Sequence, residues 1–136
     1  MGSGSTAAFA VEAVAARVAK GLRVAAIPSS EATAALARQF GLPLTSFVKH
    51  RRIDVTIDGA DQVERGTLNL IKGLGGALLR EKIVASASDR MIVVVDETKL
   101  VDRLGRNTPL PVETVSLGGK SRSIACRRSA ASRDCA

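Results

Sequence analysis

The sequence is poor in aromatic residues and in cysteine. It contains no Trp, no Tyr and only three Phe, so it cannot build the stacking surface on which single-stranded nucleic acids are bound. Its two cysteines, Cys126 and Cys135, lie near the C-terminal end without a third or fourth metal ligand beside them. They predict neither a zinc site nor a disulfide framework, and a reducing, cytoplasmic environment is therefore our expectation.

Long apolar runs are also lacking. The longest, such as Met91–Val95, are far shorter than the ~20 residues that a membrane-spanning helix needs. The chain does not open on a basic segment followed by an apolar one, so we expect neither a secretory signal nor a membrane partner. Excess positive charge is concentrated after Gly119, where five basic residues stand against one acid. Such a tail is a weak footprint for specific nucleic-acid binding, and we expect no nucleic-acid partner.

What the sequence does contain is typical of one folded domain. Its 136 residues are 46% hydrophobic and 24% charged, which excludes disorder of the whole chain. Apolar spacing and turn residues predict helices over Thr6–Lys20, Glu31–Phe40 and Gly75–Ser88 and strands over Leu22–Ile27, Ile53–Ile57 and Met91–Val95. The last strand is a continuous apolar run, which is typical of burial on both faces of a parallel sheet. This alternation predicts an α/β layered architecture.

Both ends of the chain depart from this alternation. Met1–Thr6 is the kind of turn that follows a strand, yet no strand precedes it. Residues 121–136 are rich in Ser, Ala and Arg, with Ile124 as the one large aliphatic residue, so they cannot bury enough apolar surface to fold. We therefore expect an incomplete sheet within residues 1–119 and a disordered basic tail over residues 120–136.

The first candidate site is the segment Gly2–Ala7. Glycines and hydroxyl side chains at the start of a helix suit a phosphate, because backbone N–H groups point outward there. The same pattern also fits a flexible linker, a dinucleotide-binding fingerprint or a myristoylation signal. A dinucleotide requires an acidic residue at the end of the second strand, where Pro28–Ser30 stands and Glu31 comes slightly late.

Two further motifs offer acid–base chemistry. Asp58 and Asp61 follow a strand within a glycine turn, where two close carboxylates suit proton transfer, or where each merely bonds local N–H groups. Lys72 enters a glycine-rich loop that leads into a helix, and Glu81 in its first turns can face that loop as a base beside a cation. The alternative for Glu81 is an exposed residue of a surface helix.

A fourth motif, Asp96–Lys99, directly follows the Met91–Val95 strand. Lys99 can neutralise a phosphate there as a compact cation, or the acids can simply start a helix. All four motifs lie where strands end or helices begin, which is the edge at which open α/β sheets bind their ligands.

Together these motifs resemble those of the type A ribose-5-phosphate isomerases. The blocks that carry the resemblance stand in the family's order and are Gly2–Ala7, Ile27–Thr33, Ile57–Asp61, Leu68–Ala85, Asp96–Lys99 and Pro109–Glu113. The resemblance covers about residues 2–115, and Lys72–Ala85 is its most specific part. It implies a Rossmann-like parallel sheet flanked by helices and an assembly into a homodimer or homotetramer.

The resemblance also implies a reaction and a site. The reaction is the aldose–ketose interconversion of ribose 5-phosphate and ribulose 5-phosphate through an enediol, a step of the non-oxidative pentose phosphate pathway, without metal or organic cofactor. By similarity, Glu81 moves the proton between C1 and C2, while Asp58, Asp61 and Lys72 open the sugar ring and steady the enediolate. Substrate contacts are expected at Ser3, Gly4, Ser5, Thr6, Gly59, Ala60, Gly73, Leu74, Gly75 and Lys99.

The sequence departs from the family's pattern in several places. Gln62 stands where the family motif carries an acid, and Leu74 adds bulk where the family loop has a glycine that can take a positive φ. Family members also begin earlier and continue further, so we expect a chain truncated at both ends with reduced turnover. The alternatives are a non-catalytic sugar-phosphate-binding or sensor domain and, ranked last, a dinucleotide-binding domain.

Overall fold

The structure, a computed structural model, describes residues 5–113. Its elements are α1 (Ser5–Val18), α2 (Glu31–Gln39), β1 (Thr56–Asp58), β2 (Gln62–Glu64), β3 (Leu70–Ile71), α3 (Leu78–Ser86), β4 (Met91–Val93), a short 3₁₀ helix (Glu97–Lys99) and β5 (Leu100–Val101). Helices occur together with parallel strand pairs, β1 with β4 and β2 with β5, which confirms the α/β class. The expected disorder beyond Lys120 concerns residues outside the described part.

The first two helices form as the sequence predicts. After α1 the chain turns at Gly21, whose φ of +100° is readily accessible to glycine. At the start of α2 the Ser30 hydroxyl accepts the backbone N–H of Thr33 at 3.1 Å, so Ser30 is the N-cap of this helix. The two helices share an apolar core of Val11, Ala15, Ala37 and Leu42.

The strands form two small sheets. In the first, β1 and β4 run parallel, with Thr56 opposite Met91 and Asp58 opposite Val93. In the second, β2 lies between β3, which is antiparallel to it, and β5, which is parallel. The second sheet is absent from the sequence-based prediction, because strands of two or three residues are too short to show an alternating pattern.

All three strand predictions are wrong in detail. The predicted strand Ile53–Ile57 is β1 at Thr56–Asp58, and Ile53 forms only an isolated bridge to Ser88. Leu22–Ile27 forms one isolated bridge, from Ala26 to Leu44, instead of a regular strand. The Met91–Val95 run is not buried on both faces, since Ile92 is 44% exposed and Val94 is 40% exposed. In the described residues β4 pairs with β1 alone, and so small a sheet leaves apolar faces open.

The fold brings the end of β1 next to the loop that precedes α3. The carboxyl end of β1 at Asp58 faces the loop that leads into α3, and this junction holds the candidate site. Among residues 5–113, no helix has both the length and the apolar character required to span a bilayer.

Candidate active site

The site begins at the last residue of β1. Asp58 is 2% exposed, and its Oδ1 accepts the backbone N–H of Gly59 at 2.8 Å. Its backbone carbonyl accepts the N–H of Val94 at 2.9 Å, which ties the strand end to the neighbouring chain segment. With one carboxylate oxygen used by the local turn, the other faces the interior. A local turn therefore explains the contact of Oδ1 but not that of Oδ2, the second oxygen of this carboxylate.

Lys72 lies at the centre of the site. Its Nζ is 2.9 Å from Asp58 Oδ2 and 3.2 Å from Glu81 Oε2, and it donates to the carbonyl oxygen of Gly59 at 2.5 Å. Three protein oxygens therefore surround the ammonium, two of them from carboxylates. The Lys72 side chain is only 15% exposed. The result is a sequestered cation between two buried carboxylates.

Glu81 reaches this cation from α3. It is the fourth residue of the helix, its N–H bonds the Ala77 carbonyl at 2.9 Å, and it is 5% exposed. Its burial contradicts the surface-helix alternative. The helix begins at Leu78 instead of Gly75, because Gly76 has a φ of +76° and the chain is still turning there.

The glycine loop before α3 has one position that only glycine can occupy. Gly73 has a φ of +108°, and a Cβ built on it would lie 2.7 Å from the Cβ of Leu78. Both the backbone angle and the packing against the helix start therefore exclude a side chain. Gly75 differs, since a Cβ there would meet no atom within 4 Å.

Asp61 contacts the same loop at a different residue, Leu74. Its Oδ2 accepts the backbone N–H of Leu74 at 3.0 Å. Asp58 and Asp61 thus both contact the loop, Asp58 through Lys72 and Asp61 through Leu74. The Leu74 side chain is 52% exposed, and in the described residues Leu68 is the one non-glycine with positive φ. Leu74 is therefore not forced into a conformation that only glycine adopts.

Lys99 is the last residue of the short 3₁₀ helix, directly before β5. The next residue, Leu100, pairs with Val63 in the parallel ladder between β5 and β2. Gln62 is 3% exposed, and its side-chain oxygen accepts the N–H of Gly105 at 2.9 Å. Sequence analysis identified Gln62 only as a departure from the family motif. Its partner is distant along the chain, so no local pattern could indicate the contact.

The remaining expected substrate contacts are less fully defined. Ser3 and Gly4 lie outside the described residues, and Ser5 and Thr6 belong to the start of α1 without described side chains. Ala60 is half-buried, and it lies between the two aspartates in the sequence.

Sequence analysis missed a further contact. Glu113 Oε2 accepts the N–H of Leu79 in the first turn of α3 at 2.6 Å. The Pro109–Glu113 block was noted for its resemblance alone.

The arrangement can carry out proton transfer at a carbon atom. Such a step needs a carboxylate base beside hydrogen-bond donors that stabilise the developing oxyanion. Glu81 supplies a shielded carboxylate, and the Lys72 ammonium is a donor within contact distance of it. Asp58 maintains that ammonium in position through its 2.9 Å contact.

Comparisons with known proteins point in the same direction. The family described as ribose 5-phosphate isomerase A (phosphoriboisomerase A) matches residues 25–128. The chain is 58% identical to ribose-5-phosphate isomerase A of Gluconobacter oxydans over 118 residues, which are 87% of this chain and 51% of the relative. The chain therefore spans about half the length of the curated relatives it matches.

Solved structures are similar as well. Ribose 5-phosphate isomerase A from Methanocaldococcus jannaschii matches with a TM-score of 0.89 at 39% identity, over 93% of this chain and 56% of that one. A D-ribose-5-phosphate isomerase in complex with phospho-erythronic acid matches with a TM-score of 0.88 at 36% identity, over the same shares of the two chains.

Proposed function

The chain belongs to the ribose 5-phosphate isomerase A family, and on that premise we propose that it interconverts ribose 5-phosphate and ribulose 5-phosphate. The observation that carries the proposal is the buried Lys72 ammonium, held between the carboxylates of Asp58 and Glu81. It supports a reaction in which a carbon-bound proton moves and negative charge develops on a neighbouring oxygen. The family match favours this reaction over dinucleotide binding.

In the proposed reaction Glu81 acts first on the open-chain aldose. Its carboxylate takes the proton from C2, the C1–C2 double bond forms, and the aldehyde oxygen gains the charge of an enediolate. The proton of the C2 hydroxyl passes to O1, which moves the negative charge to O2. The Glu81 carboxylic acid then returns its proton to C1, and C2 becomes the ketone. A positioned base contributes typically 10²–10⁴-fold to such a step.

Lys72 stabilises the enediolate. Its ammonium already contacts three protein oxygens, so the substrate oxygen displaces one of these contacts when it binds. Donors aimed at developing charge in a water-poor site supply a large part of enzymatic rate enhancement. Asp58 positions Lys72, and Asp61 at the half-buried edge of the loop assists the opening of the sugar ring.

The phosphate of the substrate is proposed to bind at two elements. One is the segment of Ser3, Gly4, Ser5 and Thr6; the start of α1 at Ser5 supports this, because helix N-termini favour anions. The other is Lys99, which directly precedes β5, the strand that runs parallel to β2. The backbone around Gly59, Ala60, Gly73, Leu74 and Gly75 completes the substrate contacts.

The organisation proposed for the protein follows the family resemblance. Residues 1–119 form the catalytic portion, residues 120–136 lie outside it, and neither a metal nor an organic cofactor takes part. The chain acts in the cytoplasm as a homodimer or homotetramer. Exposed large apolar side chains such as Phe9, at 72%, support association between copies.

The function is tested by incubating the purified chain with ribose 5-phosphate and following ketose formation by ¹H NMR. We expect conversion to an equilibrium mixture that stops when Glu81 is replaced by Gln, while Lys82→Gln, a change of the exposed neighbouring residue, leaves conversion intact. Binding of ribose 5-phosphate without any conversion by the unaltered chain would contradict the proposal.

A further inference from the structure

The first turn of α3 donates a hydrogen bond to a side chain outside the helix. The first N–H groups of any helix have no partner within it, and a polar side chain at the N-cap usually accepts one of them. Here the N-cap residue is Ala77, which makes no side-chain cap hydrogen bond. The N–H of Leu79 instead donates to Glu113 Oε2 at 2.6 Å, from a residue 34 positions further along the chain.

The approach of Glu113 is part of a larger contact. A cleft of about 310 Å³ is lined on one side by the glycine loop and helix start and on the other by the segment of Glu113; its residues are Gly73, Gly76, Leu78, Pro111, Val112 and Glu113. Pro111, two residues before Glu113, restricts the backbone on that side of the cleft. The carboxylate also places negative charge at the positive end of the helix dipole, which stabilises that end.

The position of this hydrogen bond connects it to Glu81. Leu79 precedes Glu81 by two residues in the same helical turn. The loop before the helix contains Gly73 and Gly76 at positive φ, and glycines constrain a backbone weakly. The loop alone therefore constrains the orientation of the first turn poorly.

We propose that Glu113 is a positioning residue for Glu81. By accepting the Leu79 N–H, it fixes the first turn of α3 so that the Glu81 carboxylate stays 3.2 Å from the Lys72 ammonium. Glu113 acts through the helix and not on the substrate. The expected effect on kcat rests on the proposed function. The capping of α3 by Glu113 rests only on the observed hydrogen bond.

The same helical turn provides a matched control. Arg80 forms an ion pair with Glu31 at 2.9 Å, and both side chains are exposed. This pair also joins an exposed glutamate to the first turn of α3, but it engages a side chain and leaves the backbone N–H groups of the turn untouched. Loss of Glu31 therefore reports on the removal of an exposed carboxylate without loss of the cap.

The test compares E113A, E113Q, E113D and E31A in the full chain. We expect E113A to lower kcat by roughly tenfold with KM within twofold, because small displacements of a reacting group carry such costs. E113Q should restore most of kcat, because its amide oxygen still accepts the Leu79 N–H. E113D keeps the charge but is one methylene shorter and should remain impaired, whereas E31A should behave as the unaltered chain.

Amide hydrogen exchange provides the second readout. We expect the Leu79 amide to exchange faster in E113A and E113D than in E113Q and E31A. Unchanged Leu79 exchange in E113D, kcat in E113Q as low as in E113D, or an equal loss of kcat in E31A would overturn the inference. If the unaltered chain shows no isomerase activity, the proposed function fails, and the exchange rates still decide whether Glu113 caps the helix. The E113Q and E113D comparison is decisive even if E113A does not fold.

Discussion

The Glu81 carboxylate lies 3.2 Å from the Lys72 ammonium, although the two side chains reach this point from different elements, a strand end and a helix. Both are shielded from water, and the ammonium also contacts Asp58. Desolvating three charged groups is costly, and their mutual attraction only partly offsets that cost. The arrangement is therefore better explained by the chemistry it permits than by any gain in stability.

Replacing Lys72 by Met should destabilise the fold. The variant leaves two buried carboxylates without their cation, and loss of one member of a buried ion pair typically costs ~3–5 kcal/mol. Urea unfolding followed by far-UV circular dichroism measures the change, since the chain has no Trp or Tyr for fluorescence. Lys82→Met, on the exposed side of α3, is the control and should stay within about 0.5 kcal/mol of the unaltered chain. Equal stability of the two variants would show that Lys72 does not stabilise the buried carboxylates of Asp58 and Glu81.

Gly73→Ala should destabilise the glycine loop, whereas Gly75→Ala should not. An alanine at position 73 meets both a φ of +108° and a Cβ contact of 2.7 Å with Leu78, for which we expect a loss of about 2 kcal/mol or more. At position 75 an added Cβ finds open space, so the effect should be within about 0.5 kcal/mol. Thermal unfolding of the two variants side by side measures the difference. Equal melting temperatures would contradict the described loop conformation.

Gln62→Met should loosen the turn at Gly105. The variant retains the length of the side chain but loses the oxygen that accepts the Gly105 N–H, a hydrogen bond worth about 1 kcal/mol. Gln62→Glu retains an acceptor oxygen and should preserve protection of that amide against hydrogen exchange. Equal Gly105 exchange in the Met variant and the unaltered chain would argue against the contact.

Two threonines should control the titration of two separate carboxyls. The pKa of Asp96 is held below its ordinary value first by the Thr98 hydroxyl and then by the Thr98 N–H, and that of Glu64 is held low first by the Thr67 hydroxyl and then by Asn69. We expect Thr98→Val to raise the pKa of Asp96 alone and Thr67→Val to raise that of Glu64 alone. Carboxyl ¹³C NMR titration measures both in each variant. A shift of both groups in either variant would contradict the separation of the two contacts.

The sign of the stability effect follows from these lowered pKa values. A carboxyl whose pKa is lower in the folded than in the unfolded chain stabilises the fold above its ordinary value, which is 3.8 for Asp96 and 4.5 for Glu64. That contribution disappears as the pH falls from there through the lower folded value. The two valine variants should therefore lose less stability than the unaltered chain as the pH falls below these ordinary values.

The parts that sequence analysis predicted are those with a local signal. Gly21 and Ser30 mark helix ends through their own backbone and side-chain preferences, so α1 and α2 were predicted within two residues at each end. Glu81 was identified because a helix had to follow the glycine loop that Lys72 enters. The burial of Lys72 and Glu81 depends on tertiary packing, which a local sequence pattern does not predict.

The missed features depend on partners that are distant along the chain. The Gln62 contact with Gly105 and the Glu113 contact with Leu79 have no periodic or capping pattern of their own. β3 and β5 have two residues each, too few for a strand signal. The Met91–Val95 run shows the opposite error, since an apolar run predicts burial only where neighbouring elements cover both faces of the strand.

The most direct test of the central claim is the exchange of the C2 proton of ribose 5-phosphate for deuterium. The purified chain and its E81Q variant are incubated with the sugar phosphate in D₂O, and loss of the C2–H signal is followed by ¹H NMR, with K82Q as the control. We expect exchange in the unaltered chain and in K82Q, and a rate lower by ~10²–10⁴-fold in E81Q. Exchange in E81Q at the rate of the unaltered chain would remove Glu81 from the proton transfer and contradict the proposed mechanism.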